Sequence, residues 1–286
     1  MSKILVMCDS TCDLSKEIID KYDIKVVPLH VNFPGEERDY LDGINIFPEE
    51  IYKHVEETKC TPKTSARNVI EFLDDFKKYI KDGFDIIYTG IGSELSSSYQ
   101  NACLAAQEVA PERIEIVDSG NLSTGTGLLV LKMCLYRDQG LDVHEIAKRV
   151  KDIAPHVSTK FCIDRLDYLY KGGRCSGMTK FAASVFKLHP IAKMINGKLT
   201  TYKVPRGKYL HSVDLQIEEF MKDLPNIDKS HIFITHSGRM DGEDEYIYSK
   251  IKEYVDPECI HITKAGCVVS SHCGPKTIGI LYILNK

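Results

Sequence analysis

Three short segments set hydroxyls and glycines where an apolar run gives way to a polar one: DSTCDL (9–14), GSELSSSY (92–99) and DSGNLSTGTG (118–127). In an open parallel sheet, ligands bind outside the carboxyl ends of the strands. A helix starting there presents unpaired N–H groups and the positive end of its dipole, a setting that suits an anion. Ser96 stands before Ser97-Ser98-Tyr99-Gln100 and reads as an N-cap, a position serine favours in helices of every function. KCTPKTSAR (59–67) reads as a loop and adds Thr61, Thr64 and Ser65; hydroxyls before a helix serve as caps and turn formers as readily as they serve ligands. SSHCGP (270–275) sets His272 beside Gly274 and Pro275 in a predicted turn before the last strand. Hydroxyls, helix-start N–H groups and an imidazole are donors for an anion with no evident catalyst among them, which points to binding ahead of turnover.

Other chemistries lack a needed residue. An aspartyl phosphotransferase built on Asp9 would need an acid two positions on, where Thr11 stands. GIGSEL (90–95) lacks the third glycine of a dinucleotide fingerprint, and neither a P-loop nor a GxSxG elbow occurs. The ten cysteines, at 8, 12, 60, 103, 134, 162, 175, 259, 267 and 273, include no CxxC pair, so neither a structural zinc site nor another metal or cofactor is expected. Cys8, Cys103 and Cys134 sit in apolar runs, where a free thiol packs as a small hydrophobe; a reduced, cytoplasmic protein is the expectation. With 37 basic and 41 acidic residues the net charge is −4, which argues against a general nucleic-acid binder. The opening run MSKILVMC is too short for a signal peptide or a membrane span.

The elements that must position these groups alternate. KILVMC (3–8), IKVVPLHV (24–31), FDIIYTG (84–90) and RIEIVDS (113–119) read as strands. Residues 15–22, 48–57, 68–80, 96–109, 128–139 and 142–154 read as helices, and 32–43 as a loop or small excursion. Strand–helix alternation implies a parallel sheet with helices on its faces. Beyond about 155 the texture changes. VSTKFCI (157–163) is a strand, KGGRCSGM (171–178) a loop, and two apolar runs joined by Asn196-Gly197 a hairpin. Helices over 208–224 and 243–255 and strands at HIFITHSG (231–238), 259–263 and 278–284 complete a mixed sheet. At 286 residues an α/β protein of two domains is expected, an N-terminal one over 1–155 with a mostly parallel sheet and a C-terminal one over 156–286 with a mixed sheet.

DSTCDL, TPKTSA, GIGSELSSSYQNA, IVDSGNLSTGTG, DRLDYLYKGGR and SSHCGPKTIGI occur in that order from about residue 4 to 284, and together they resemble the DegV family, which includes the fatty-acid-binding subunits of bacterial fatty acid kinase. The resemblance implies one long-chain fatty acid in a tunnel between the two domains. It implies a carboxylate held by Thr64, Ser96 and His272, with Ser65 and Ser97 beside them. Ala66-Arg67 and Ser97-Ser98 stand where that family usually has Gln-Pro and Gly-Thr. The chemistry is implied to happen on a partner, an ATP-dependent kinase subunit that phosphorylates the bound carboxylate; Arg174 and Arg206, in loops, are candidates to dock that partner or steer phosphate. Phe181, Val185, Phe186 and Ile191 are candidate tail-lining residues. Two rival readings remain. One is an acyl hydrolase or acyltransferase with Ser96 as nucleophile and His272 as base, which needs the two within hydrogen-bond reach and a third group orienting the imidazole. The other is a small-anion binder, which predicts a short polar pocket in place of a long apolar one.

Overall fold

The computed structural model describes residues 3–176 and 188–285. The first part of the chain runs β1 (Lys3–Asp9), α1 (Lys16–Lys21), β2 (Lys25–Val27), β3 (His30–Asn32), β4 (Asp39–Leu41), α2 (Pro48–Thr58) and β5 (Lys63–Ser65). It continues with α3 (Val69–Lys81), β6 (Phe84–Gly90), α4 (Ser98–Val109), β7 (Ile114–Asp118), α5 (Thr124–Asp138) and α6 (Val143–Ile153). The remainder is β8 (Val157–Cys162), α7 (Leu166–Gly172), β9 (Cys175–Ser176), β10 (Ile191–Ile195), β11 (Lys198–Lys203), α8 (Tyr209–Asp223), β12 (Ile227–His236), α9 (Glu243–Ile251), β13 (Ile260–Lys264), α10 (Cys267–Cys273) and β14 (Ile278–Leu284).

These strands make three sheets: a parallel one in the order β2-β1-β6-β7, a mixed one in the order β13-β12-β14-β8-β10-β11-β9, and a small antiparallel one in the order β4-β3-β5. Alternation along β1 decides its two faces. Leu5 and Met7 pack with Phe72 and Phe76 of α3 and Ala102 and Ala105 of α4, whereas Val6 and Cys8 pack with Leu128, Val130 and Ile146 of α5 and α6. Val157, Phe233, Leu281 and Ile283 of the mixed sheet join that second cluster, so α5 lies between two sheets. That explains its composition: Thr124–Leu131, Met133 and Cys134 are all buried, as expected of a helix covered on every side. The far face of the mixed sheet is covered by α8 and α9 through Val213, Phe220, Ile247 and Ile251.

Four local expectations fail. IKVVPLHV is two strands, because Pro28 has no N–H for a ladder: β2 pairs with β1, while β3 starts the small sheet. The excursion over 32–43 and the presumed loop KCTPKTSAR supply the other two strands of that sheet, β4 and β5. The loop expected over 171–178 begins with the last two residues of helix α7 and contains the short strand β9. The predicted turn around His272 is the last turn of α10. The Asn196-Gly197 hairpin forms, with both residues at positive φ (50° and 76°), as a two-residue turn requires. Phe181, Val185 and Phe186 lie outside the described residues. Ile191 points to the α8 and α9 side with Cys162 and Val213 and is ordinary core, since neighbours on a strand face opposite ways.

Candidate ligand site

The segment carrying Ser96 is tied down from two strand ends. The Asp9 carboxylate, at the end of β1, accepts from the Ile91 N–H at 2.9 Å. Asp118, at the end of β7, accepts from the Ser93 and Gly120 N–H groups, each at 3.0 Å. Ser96 is not the cap of α4: Ser97 holds that position, without a side-chain cap bond. Ser96 lies one residue earlier, its N–H bonded to the Gly92 carbonyl, its Oγ accepting from the Ser98 N–H at 3.3 Å and donating to the Ser98 hydroxyl at 3.2 Å. The half-buried hydroxyl is thereby fixed beside a helix start.

Thr64 sits on β5, opposite Val31 of β3. Its Oγ1 is hydrogen-bonded to His272 Nε2 at 2.8 Å. On the other side of the ring, Nδ1 is shut off from solvent and without a hydrogen-bond partner. The Gly172 backbone lies against it, so close that a Cβ at 172 would stand 2.5 Å from Nδ1; only glycine fits there. Burial pushes the His272 pKa down to about 4, the nearby Arg174 charge acts in the same direction, and the Gly172 backbone opposes both. The ring is therefore neutral at physiological pH. Arg174 itself is exposed and donates to the Gly172 carbonyl at 3.0 Å.

A cavity of about 120 Å³ has Thr64, Ser65, Ser96, Ser97, Arg174 and His272 in its wall. The rest of its wall is apolar, including Ile91, Leu95, Leu122, Phe161, Leu169 and Val268. Leu122, Phe161, Val269 and Cys273 also line a second cavity of about 30 Å³, so the two are neighbours across those side chains. The hydroxyls around the second cavity are satisfied within the protein: Ser237 donates to the Gly274 carbonyl, Thr277 to that of Cys273, and Ser123 to Asp13. On the outer side, Arg174, Leu95 and Leu199 are shared with a shallow surface pocket that also holds Glu94 and Lys198. Arg206 lies apart, exposed between β11 and α8 and lining none of these pockets.

Fold and site together define a protein of the α/β class, with parallel and mixed sheets and a pocket lined by hydroxyls, an arginine and a histidine together with apolar side chains. The chain belongs to the DegV family: the family model described as "Uncharacterised protein, DegV family" matches residues 3–285. It is 33% identical to a DegV domain-containing protein of Clostridium perfringens over 285 residues, 99% of each chain. It resembles the solved structure of a DegV family protein of Thermus thermophilus, titled for its fatty acid binding, with a TM-score of 0.89 and 25% identity over 99% of this chain and 100% of that one. A stearic acid-binding protein of Eubacterium ventriosum aligns with a TM-score of 0.85 and 26% identity, covering 99% of this chain and 98% of the other.

The residues that escaped the sequence reading are the apolar wall, Phe161 and Val269 above all, and the carboxylates that hold the site's backbone. Phe161 belongs to a strand whose every residue is buried, and nothing in the order of its side chains separates a cavity wall from core. Among the described residues no helix is long and apolar enough to cross a membrane, and no cluster of three or more His, Cys, Asp or Glu could hold a metal.

Proposed function

We propose that this protein binds one long-chain fatty acid, its carboxylate among Thr64, Ser96 and His272 and its tail along the apolar cavity, and presents the acid to a separate ATP-dependent kinase subunit for phosphorylation. The observation that carries the reading is a cavity whose wall joins these donors to apolar side chains, with Thr64 and His272 hydrogen-bonded to each other in it. A half-buried carboxylate keeps its charge only where donors and a cation meet it. The hydroxyls of Thr64 and Ser96 are within the cavity wall, and Arg174 supplies positive charge beside an imidazole that stays neutral. Ser65 and Ser97, both exposed, line the same cavity. The tail gives affinity: about 15 methylenes at roughly 0.8 kcal/mol each contribute on the order of 12 kcal/mol before the costs of association. The two cavities as they stand fall short of the roughly 300–1,000 Å³ typical of a ligand pocket, so a long tail requires the side chains that line both, Leu122, Phe161, Val269 and Cys273, to give way. Fatty acid binding by the Thermus and Eubacterium relatives supports the same reading.

The kinase step rests on the family resemblance and on the open pocket at Arg174 and Lys198, which shares Arg174 with the cavity. On this reading the protein is a carrier without a catalyst of its own. The rival hydrolase needs a Ser96–His272 pair, yet His272 Nε2 is bonded to Thr64 and Nδ1 faces Gly172 with no orienting carboxylate. The test is calorimetric titration of delipidated protein with hexadecanoic acid, hexadecan-1-ol and inorganic phosphate. Tight binding of the acid, weaker binding of the alcohol and none of phosphate is expected. Phosphate binding without acid binding would establish the small-anion reading instead. Hydroxylamine trapping of an acyl hydroxamate, on addition of ATP and a fatty acid kinase subunit, tests the second step.

A further inference from the structure

Helix α10 carries His272, Val268, Val269 and Cys273 into the cavity wall, yet it is only seven residues long, a length at which a helix does not hold itself together in water. Its first turn is held by two carboxylates from distant parts of the chain. Asp13 accepts from the Gly266 N–H at 2.8 Å. Asp42 accepts from the Cys267 N–H at 2.6 Å with one oxygen and from the Val268 N–H at 3.3 Å with the other. A Cβ at Gly266 would stand 3.0 Å from both Asp42 oxygens, so the two acids converge on a residue that has no side chain to exclude them. Both carboxylates are buried and further fixed by hydroxyls, Asp13 by Ser123 and Asp42 by Ser10 at 2.9 Å. Ser10 in turn accepts from the N–H of Leu29, a residue of the cavity wall.

Asp42 follows β4 directly, and β4 pairs with β3, which pairs with β5 and so with Thr64. Thr64 and His272 are thus anchored to one small sheet, Thr64 through its ladder and His272 through Asp42 and the start of α10. We infer that Asp42 is the positioning residue that sets His272 against Thr64, by capping the helix that carries the imidazole from the sheet that carries the hydroxyl. Charge on Asp42 also complements the positive end of the helix. Asp13 shares the work at Gly266, but it is bound to the turn after β1 and does not connect to Thr64.

The ligand readout rests on the fatty-acid reading; a second readout does not. Asp42→Ala, Asp42→Asn and the native chain are compared for binding of hexadecanoic acid and hexadecan-1-ol, and by nitrogen-15 NMR of the His272 ring, assigned with His272→Gln. Asp42→Ala is expected to weaken the acid at least tenfold and the alcohol less than threefold, and to raise the His272 titration midpoint from about 4 toward that of a free imidazole. Asp42→Asn keeps an acceptor for Cys267 and is expected to recover part of both effects. Should Asp42→Ala not fold, Asp42→Asn and Ser10→Ala carry the test with smaller shifts of the same sign. An unchanged ratio of acid to alcohol affinity together with an unchanged His272 midpoint would overturn the inference. A native chain that binds neither ligand would instead overturn the fatty-acid reading, and the NMR midpoint would still decide the role of Asp42.

Discussion

Thr64 Oγ1 and His272 Nε2 meet at 2.8 Å across 208 residues of sequence. One arrives on the edge of a three-stranded sheet, the other on the last turn of a seven-residue helix. The bond joins the first sheet-forming part of the chain to the segment before its final strand. The half-buried pair lines the cavity, so anything that shifts either element shifts the place where a carboxylate would lie.

Removing a donor should be felt by the head group alone. A hydrogen bond to a charged group contributes about 1.5–3 kcal/mol. Thr64→Ala and Ser96→Ala are therefore expected to weaken hexadecanoic acid by roughly ten- to a hundredfold, with hexadecan-1-ol much less affected. Calorimetry on delipidated variants checks this, and equal losses for acid and alcohol would remove the assignment of the carboxylate to these residues.

The neutral imidazole has a consequence for stability. The folded His272 stays unprotonated down to about pH 4, whereas the same ring in the unfolded chain takes a proton near 6.5. Between those values the unfolded state binds more protons, so the ligand-free protein loses stability as pH falls from 6.5 toward 4 and loses nothing through this group above that window. The full contribution is on the order of 3 kcal/mol. His231, half-buried and held at about 4 chiefly by loss of solvent, adds to the native slope. Denaturant melts of the native chain and His272→Gln at pH 7 and pH 4.5 should show a smaller fall in the variant.

Gly172 is a contact in disguise. A methyl group there would stand 2.5 Å from His272 Nδ1, and the ring must move to admit it. Gly172→Ala is expected to lengthen the Thr64–His272 bond and to weaken acid binding about as much as losing His272 does. Its melting temperature should fall less than that of a core truncation, because Gly172 lies at the end of α7, outside the clusters of buried side chains. Wild-type affinity in Gly172→Ala would show that the ring position has no bearing on binding.

Phe161 is the largest of the four side chains that line both cavities. Phe161→Ala is expected to join them and to shift preference toward longer or bent tails, measured as the ratio of affinities for 18-carbon and 14-carbon acids. The same change costs stability, about 3–5 kcal/mol for a phenylalanine truncated in a packed interior. A stable variant with an unaltered ratio would mean that the tail does not pass this ring.

The order of strands and helices was legible because periodicity and punctuation are local: the stripe of α3, Asn196-Gly197 and the long apolar strands need no partner to be recognised. Thr64, Ser96 and His272 stood out in the sequence as candidate donors through the family motifs, and the structure brings Thr64 and His272 together. Their setting was not legible. β5 is a three-residue strand whose identity comes from β3 over thirty residues earlier, so in sequence it looks like a loop. α10 is too short to announce itself, and the acid that caps it, Asp42, sits in an unremarkable polar stretch 225 residues away. Phe161 and Ile191 are equally apolar, and only the register of β8 and β10 sends one to the cavity and the other to the core.

The central claim, that this cavity carries a fatty acid by its carboxylate, is tested most directly by what the protein holds when it leaves a bacterial cell. Purified native chain and a Thr64→Ala/Ser96→Ala double variant are extracted with organic solvent, and the extract is quantified by mass spectrometry. The expected result is close to one long-chain fatty acid per native chain and a large loss in the double variant. A native chain without fatty acid, which also fails to take up hexadecanoic acid after delipidation, would contradict the claim.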